Sequence, residues 1–156
     1  MNIGTMLKGH DLFKSFPPDE VDRLTRHSSA KILEQGETIY TADQAATHVF
    51  VLLDGEVHLR LDEGPGPVDV LVSRVKEGEL FGLAPLIGCA RYTTRADAAR
   101  ASKVLYVEAR PLLDALREHP AIGHEIMSAV ARAYFERYKG LMERVKKVVT
   151  DLSWEA

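Results

Sequence analysis

GELFGLAPLIGCARYTTRADA, residues 78 to 98, carries more information than any other segment of this chain. Gly78 turns the chain into Phe81-Gly82. One short helical turn follows, then a strand rich in Thr and Arg. That order sets several backbone N–H groups and nearby hydroxyls around one small concave site. Such a site suits an anion, above all a phosphate.

Upstream of this segment the texture is that of short strands. Lys31 to Glu34, Gln35-Gly36 and Glu37 to Tyr40 read as strand, turn, strand. His48 to Leu53 is strongly β-prone, and Asp54-Gly55 is the best hairpin-turn signal in the chain. Glu56 to Leu61 alternates polar and apolar residues with period two, as a half-buried strand does. Asp62 to Pro67 reads as a loop tip, and Val68 to Val75 as another strand. Downstream, Thr93 to Ala98 and Lys103 to Val107 complete seven or eight strands. Turns recur about every 8–12 residues, a rhythm that predicts a sandwich or rolled barrel.

Helices flank the strands. Pro17-Pro18-Asp19-Glu20 starts one that fades near Ser28-Ser29, with Phe13 and Phe16 anchoring it from the front. Pro111 to Arg117 makes a second. His119-Pro120 breaks that one and opens a long helix to about Val149. Its apolar positions, Ile122, Ile126, Val130, Tyr134, Tyr138, Leu141, Val145 and Val148, form one stripe. Lys146 and Lys147 complement its C-terminal dipole. The expected division is a helical segment 1–29, the strands 30–108 and C-terminal helices 109–156.

Composition narrows the functional classes. The 156 residues are enough for one domain with a core, and the net charge of −3 argues against bulk nucleic-acid binding. Cys89 is the one cysteine, so no internal disulfide forms and a reducing compartment fits. The N-terminus lacks a signal-peptide core, and no apolar run approaches the ~20 residues of a membrane span. No metal-type His or Cys spacing, P-loop or nucleophile motif occurs. The expectation is a cytoplasmic protein with no membrane span and no enzymatic activity.

Short helix, β-roll, short helix and long helix resemble the cyclic-nucleotide-binding domain of the catabolite-activator and regulatory-subunit superfamily. The resemblance covers nearly the whole chain. The family's structural turn glycines match Gly36, Gly55 and Gly78, and a further one falls at Asp43. The Phe81-Gly82 pair also fits. The resemblance implies a mainly β fold with flanking helices. Its centre is an eight-stranded β-roll (a double-stranded jelly-roll), joined by a short N-terminal helix, a short cassette helix and a long C-terminal helix.

For the ligand, the resemblance implies a site built by Phe81, Gly82, Leu83, Ala84, Arg91, Tyr92, Thr93 and Thr94. Arg137 and Tyr138 lie where the family's long helix touches the nucleotide base. Two positions depart from the pattern. The family's ribose-binding Glu falls on Leu83, and its phosphate-binding Arg falls on Tyr92. Arg91 is one residue early, which sends it to the opposite face of an extended segment unless a bulge re-aims it. Arg91 is therefore either the phosphate ligand or a loop charge. Tyr92 either engages a small molecule or fills the pocket as core. Thr93 and Thr94 either donate to an anion or serve as ordinary strand residues.

The resemblance thus implies a regulatory small-molecule sensor module signalling through its long helix, with cAMP or cGMP as the ligand and no certain cofactor. The alternative is a degenerate domain that no longer binds cyclic nucleotides and acts in dimerisation or protein interaction. A third reading is a haem or redox sensor using Cys89 or a His. A homodimer through the long helix is expected, with a protein partner of unknown identity. Thr150 to Ala156 are too few for a DNA-reading module, so a stand-alone sensor without a DNA-binding domain in this chain is expected.

Overall fold

The computed structural model describes residues 2–62 and 69–154. In chain order come α1 (Ile3–Gly9), α2 (Pro18–Arg26) and strands β1 (Ser28–Leu33), β2 (Thr38–Tyr40), β3 (His48–Asp54), β4 (Val57–Asp62), β5 (Asp69–Val75) and β6 (Leu80–Phe81). A 3-10 turn (Ala84–Ile87) precedes β7 (Arg95–Ala98) and β8 (Ser102–Glu108). Helices α3 (Ala109–Glu118) and α4 (Pro120–Trp154) end the described chain. The strands form two antiparallel sheets, ordered β1-β8-β3-β6 and β2-β7-β4-β5.

Period-two alternation along β3 and β8 divides the interior into two cores. Val49 and Val51 of β3, with Leu105 and Val107 of β8, face a core shared with the helices. Phe50, Leu52 and Val104 face the opposite way, into the roll. The register pairs Val51 with Leu105 and Leu52 with Val104, so like-facing residues sit side by side. The β3–β4 hairpin turns on Gly55 at φ +109°, where a Cβ would run into Ser102.

The helical layer closes over the first core. Leu7, Phe13, Phe16, Val21, Leu24, Leu112, Leu116, Ile126 and Val130 pack together there. Glu20 is buried with them and keeps its charge compensated: Arg23 Nε donates to its Oε1 at 2.8 Å, and His119 Nε2 lies 3.4 Å from its Oε2. The carboxylate holds the Arg23 guanidinium above its usual pKa. His10 Nε2 meets the Gly78 carbonyl oxygen at 2.7 Å, tying the N-terminal segment to the turn before β6.

Three boundaries differ from the sequence expectation. A helix precedes α2: Asn2 accepts from the Thr5 amide at 3.0 Å, and Leu7 anchors α1 in the core. β1 begins at Ser28, because α2 ends at Arg26 and the chain enters the sheet at once. α4 continues past Val149 to Trp154, since no Pro or Gly interrupts its last turns. The expected loop tip at 62–67 lies outside the described residues except for Asp62, which ends β4.

Candidate functional site

The segment 78–98 is held at both ends by the roll. β6 pairs with β3 through Phe50–Phe81 and Val51–Leu80. Gly82 then takes φ +64°, and a Cβ there would lie 2.5 Å from the Phe50 ring. Only glycine lets the chain pass so close in this conformation. Leu83 precedes the 3-10 turn, which carries Pro85 and stops at left-handed Gly88. At the far end the Tyr92 amide donates to Gln44 O at 3.0 Å, and the Asp43 amide donates to Tyr92 O at 2.9 Å. Asp43 has φ 65°, the left-handed backbone its position called for.

A pocket of about 240 Å³ lies between this cassette and α4. Gly82, Leu83, Ala84, Tyr92, Thr93 and Thr94 line the cassette side, and Tyr40, Leu59 and Val72 the roll side. Tyr134, Arg137, Tyr138 and Leu141 of α4 close it. The structure thus brings together Gly82, Leu83, Ala84, Tyr92, Thr93, Thr94, Arg137 and Tyr138 from the sequence-derived set. Phe81 and Arg91 lie outside the lining. Phe81 is fully buried and stacks on Phe50, with ring centroids 5.2 Å apart. Arg91 is exposed, and its Nη1 donates to Asp43 O at 2.6 Å, tying the cassette to the β2–β3 loop.

Leu83 and Tyr92 are turned inward. Leu83 is 2% exposed and belongs to the helix-side core. Tyr92 is 3% exposed and stacks on Tyr40, with centroids 3.9 Å apart. Its hydroxyl donates to His48 O at 2.6 Å and accepts from His48 N at 3.1 Å. Both capacities of the phenol are spent on the start of β3. Burial raises its pKa, and those backbone bonds oppose the rise. Burial also pushes Tyr40 well above the ordinary phenol value, opposed by a side-chain hydrogen bond with Thr94.

Arg137 is the cation of the pocket. It is half-buried, and among the described residues it makes no ion pair or hydrogen bond. Its guanidinium carbon lies 5.7 Å from the centroid of the Tyr134 ring. Burial lowers its pKa, while Tyr40, Tyr134 and Glu79 pull the other way. Beyond Arg137 a more open groove of about 680 Å³ runs between β5 and α4. Its charges are mixed: Arg74, Lys76, Arg132 and Arg144 with Glu79 and Glu136.

Tyr40, Leu59, Val72, Tyr134 and Leu141 were not among the sequence-derived site residues. Tyr134 and Leu141 carried a signal, since both fall on the long-helix stripe beside Tyr138. Cys89 is exposed, and His48 Nδ1 is taken up by Thr47 Oγ1 at 2.8 Å. Among the described residues, Glu20, Glu118 and His119 are close enough to share a metal ion. Arg23 already compensates that cluster through Glu20.

Comparison with known proteins places this geometry. The family model for the cyclic nucleotide-binding domain matches residues 30–119. The cyclic AMP receptor protein of Thermus thermophilus is 25% identical over 126 residues, 81% of this chain and 58% of the relative. The chain therefore spans less than two thirds of that relative's length. A Geobacter metallireducens structure assigned to the cyclic nucleotide-binding proteins superposes with a TM-score of 0.71 at 25% identity, covering 88% of this chain and 98% of that one. The sensor domain of the transcriptional regulator DNR from Pseudomonas aeruginosa shares the fold at TM-score 0.72 and 17% identity, covering 83% and 91%. No helix among the described residues is long and apolar enough to cross a membrane.

Proposed function

This chain belongs to the cyclic nucleotide-binding domain family, and from that footing we propose that it is a regulatory small-molecule sensor read out by α4. The observation that carries the reading is the shared lining of one pocket. Gly82 to Ala84 and Tyr92 to Thr94 supply one side, and Tyr134 to Leu141 of α4 supply the other. An occupant touching both favours one helix position over others, to the extent that it binds those positions differently. Cyclic AMP, named in the Thermus relative, is one candidate occupant. Leu83 and Tyr92 count against it, because neither supplies the carboxylate and guanidinium expected at those positions.

A ligand-independent experiment tests the coupling. Thr93 is exposed at the pocket lining, so Thr93→Trp fills the space without cutting into the core. Amide hydrogen exchange over 134–141 is expected to change, with β3 and β8 unaffected. Unaltered exchange throughout α4 would count against the sensor reading.

The second half of α4 supports a homodimer. Phe135, Tyr138, Met142, Val145, Val149 and Leu152 are all exposed. Their spacing alternates three and four residues, the repeat of a two-stranded coiled coil. A second copy of this chain is the occupant that such a self-complementary seam accepts. Val145→Glu places like charges at the centre of the seam. Sedimentation velocity is expected to show the wild type as a dimer and the variant as a monomer with the same thermal midpoint. A wild-type monomer at ~100 μM would remove the dimer from the proposal.

A further inference from the structure

The pocket's one cation comes from the helix and not from the cassette. Arg137 is half-buried and uses none of its N–H donors on a described residue. A guanidinium offers five such donors in a fork that matches a carboxylate. No Asp or Glu lines the pocket, so nothing built into it competes for that fork. The remaining surface is flat and apolar. Tyr40 and Tyr134 present rings, Leu83 presents a methyl surface, and the Thr94 hydroxyl already engages Tyr40. At about 240 Å³ the space falls below the ~300–1,000 Å³ of pockets that take drug-sized ligands. It also lacks an acceptor for a ribose hydroxyl at Leu83.

We propose that this pocket takes a small planar aromatic monoanion of the aryl carboxylate class, with its charge on Arg137 and its ring among the tyrosines. The inference rests on the sensor reading and gives it a ligand class. One charge is matched by one charge. The apolar body is matched by aromatic faces that reward stacking and exclude water. A bound anion also relieves the burial that lowers the Arg137 pKa, since a guanidinium keeps its proton and must find a partner instead. Because that partner sits on α4, the ligand's charge acts on the helix without passing through the cassette.

A two-by-two binding experiment tests this. Indole-3-carboxylate and its neutral isostere indole-3-carboxamide are titrated by calorimetry into wild type, Arg137→Met and Arg137→Lys. The wild type is expected to bind the carboxylate at least about tenfold more tightly than the carboxamide, the scale of one charge-assisted contact. Arg137→Met is expected to lose that preference while keeping its carboxamide affinity, and Arg137→Lys to keep part of it. Equal affinities in the wild type, a preference that survives in Arg137→Met, or no binding of either indole at ~1 mM would overturn the assignment. So would cyclic AMP or cyclic GMP binding more tightly than the carboxylate. The Thr93→Trp exchange experiment uses no ligand, so its outcome shows whether the sensor reading stands when the ligand class fails.

Discussion

Tyr92 and Arg137 line the same pocket from the cassette and from α4, and they differ in what surrounds them. Tyr92 spends every polar capacity within the fold, stacked on Tyr40 and bonded twice to His48. Arg137 spends none among the described residues and is held by a ring face and the helix backbone. The cassette, where a family reading looks for the ligand's anchor, has become core. The helix, where it looks for the response, carries the charge. A residue's role therefore follows from whether its polar groups are already satisfied, more than from its alignment position.

Substitutions on the two sides should show this difference as unequal costs. Tyr92→Ala removes a ring from a packed aromatic core and leaves the His48 backbone groups unmatched. A loss of ~3–5 kcal/mol is expected in urea unfolding, as for other buried aromatic truncations. Arg137→Met should stay within ~0.5 kcal/mol of wild type, since no structural contact is lost. Comparable losses at the two positions would erase the distinction.

Alkaline pH probes the cassette side alone with a smaller effect. Burial raises the pKa of Tyr92, and of Tyr40 still further. The unfolded phenols titrate near ~10, where the folded ones still hold their protons. The folded state then binds more protons than the unfolded, so stability falls as pH rises. The contribution is whole below the unfolded value and is lost as pH climbs towards the folded one. Urea midpoints measured on either side of pH ~10 should therefore decline, and Tyr92→Phe should decline less steeply. A variant that follows the wild-type slope would mean that Tyr92 is not protected by the core.

Local signals made most of the fold readable. Asp54-Gly55 fixed a hairpin, period two fixed β3 and β4, and apolar spacing fixed a long helix. The left-handed turns at Gly36, Gly55, Gly78 and Asp43 are likewise local backbone requirements. α1 escaped because a helix of 7 residues with no acidic residue in its first turn gives little periodicity. The site was less readable because its character depends on distant partners. Whether Tyr92 is ligand or core is decided by Tyr40 and His48. The apolar stripe of α4 read as one face, yet Ile126 and Val130 bury against the roll while Tyr138 and Val145 face outward. Sequence spacing cannot show where the roll stops.

The reach of α4 has a mechanical consequence. Its 35 residues span about 52 Å, and Val130 is the last of them buried in the core. From there to the end of the helix is about 36 Å of unsupported lever arm. A tilt of about 10° pivoting at Val130 carries the far end through about 6 Å. Arg137 sits two turns beyond the pivot, so a sub-ångström adjustment at the pocket arrives at Leu152 multiplied severalfold.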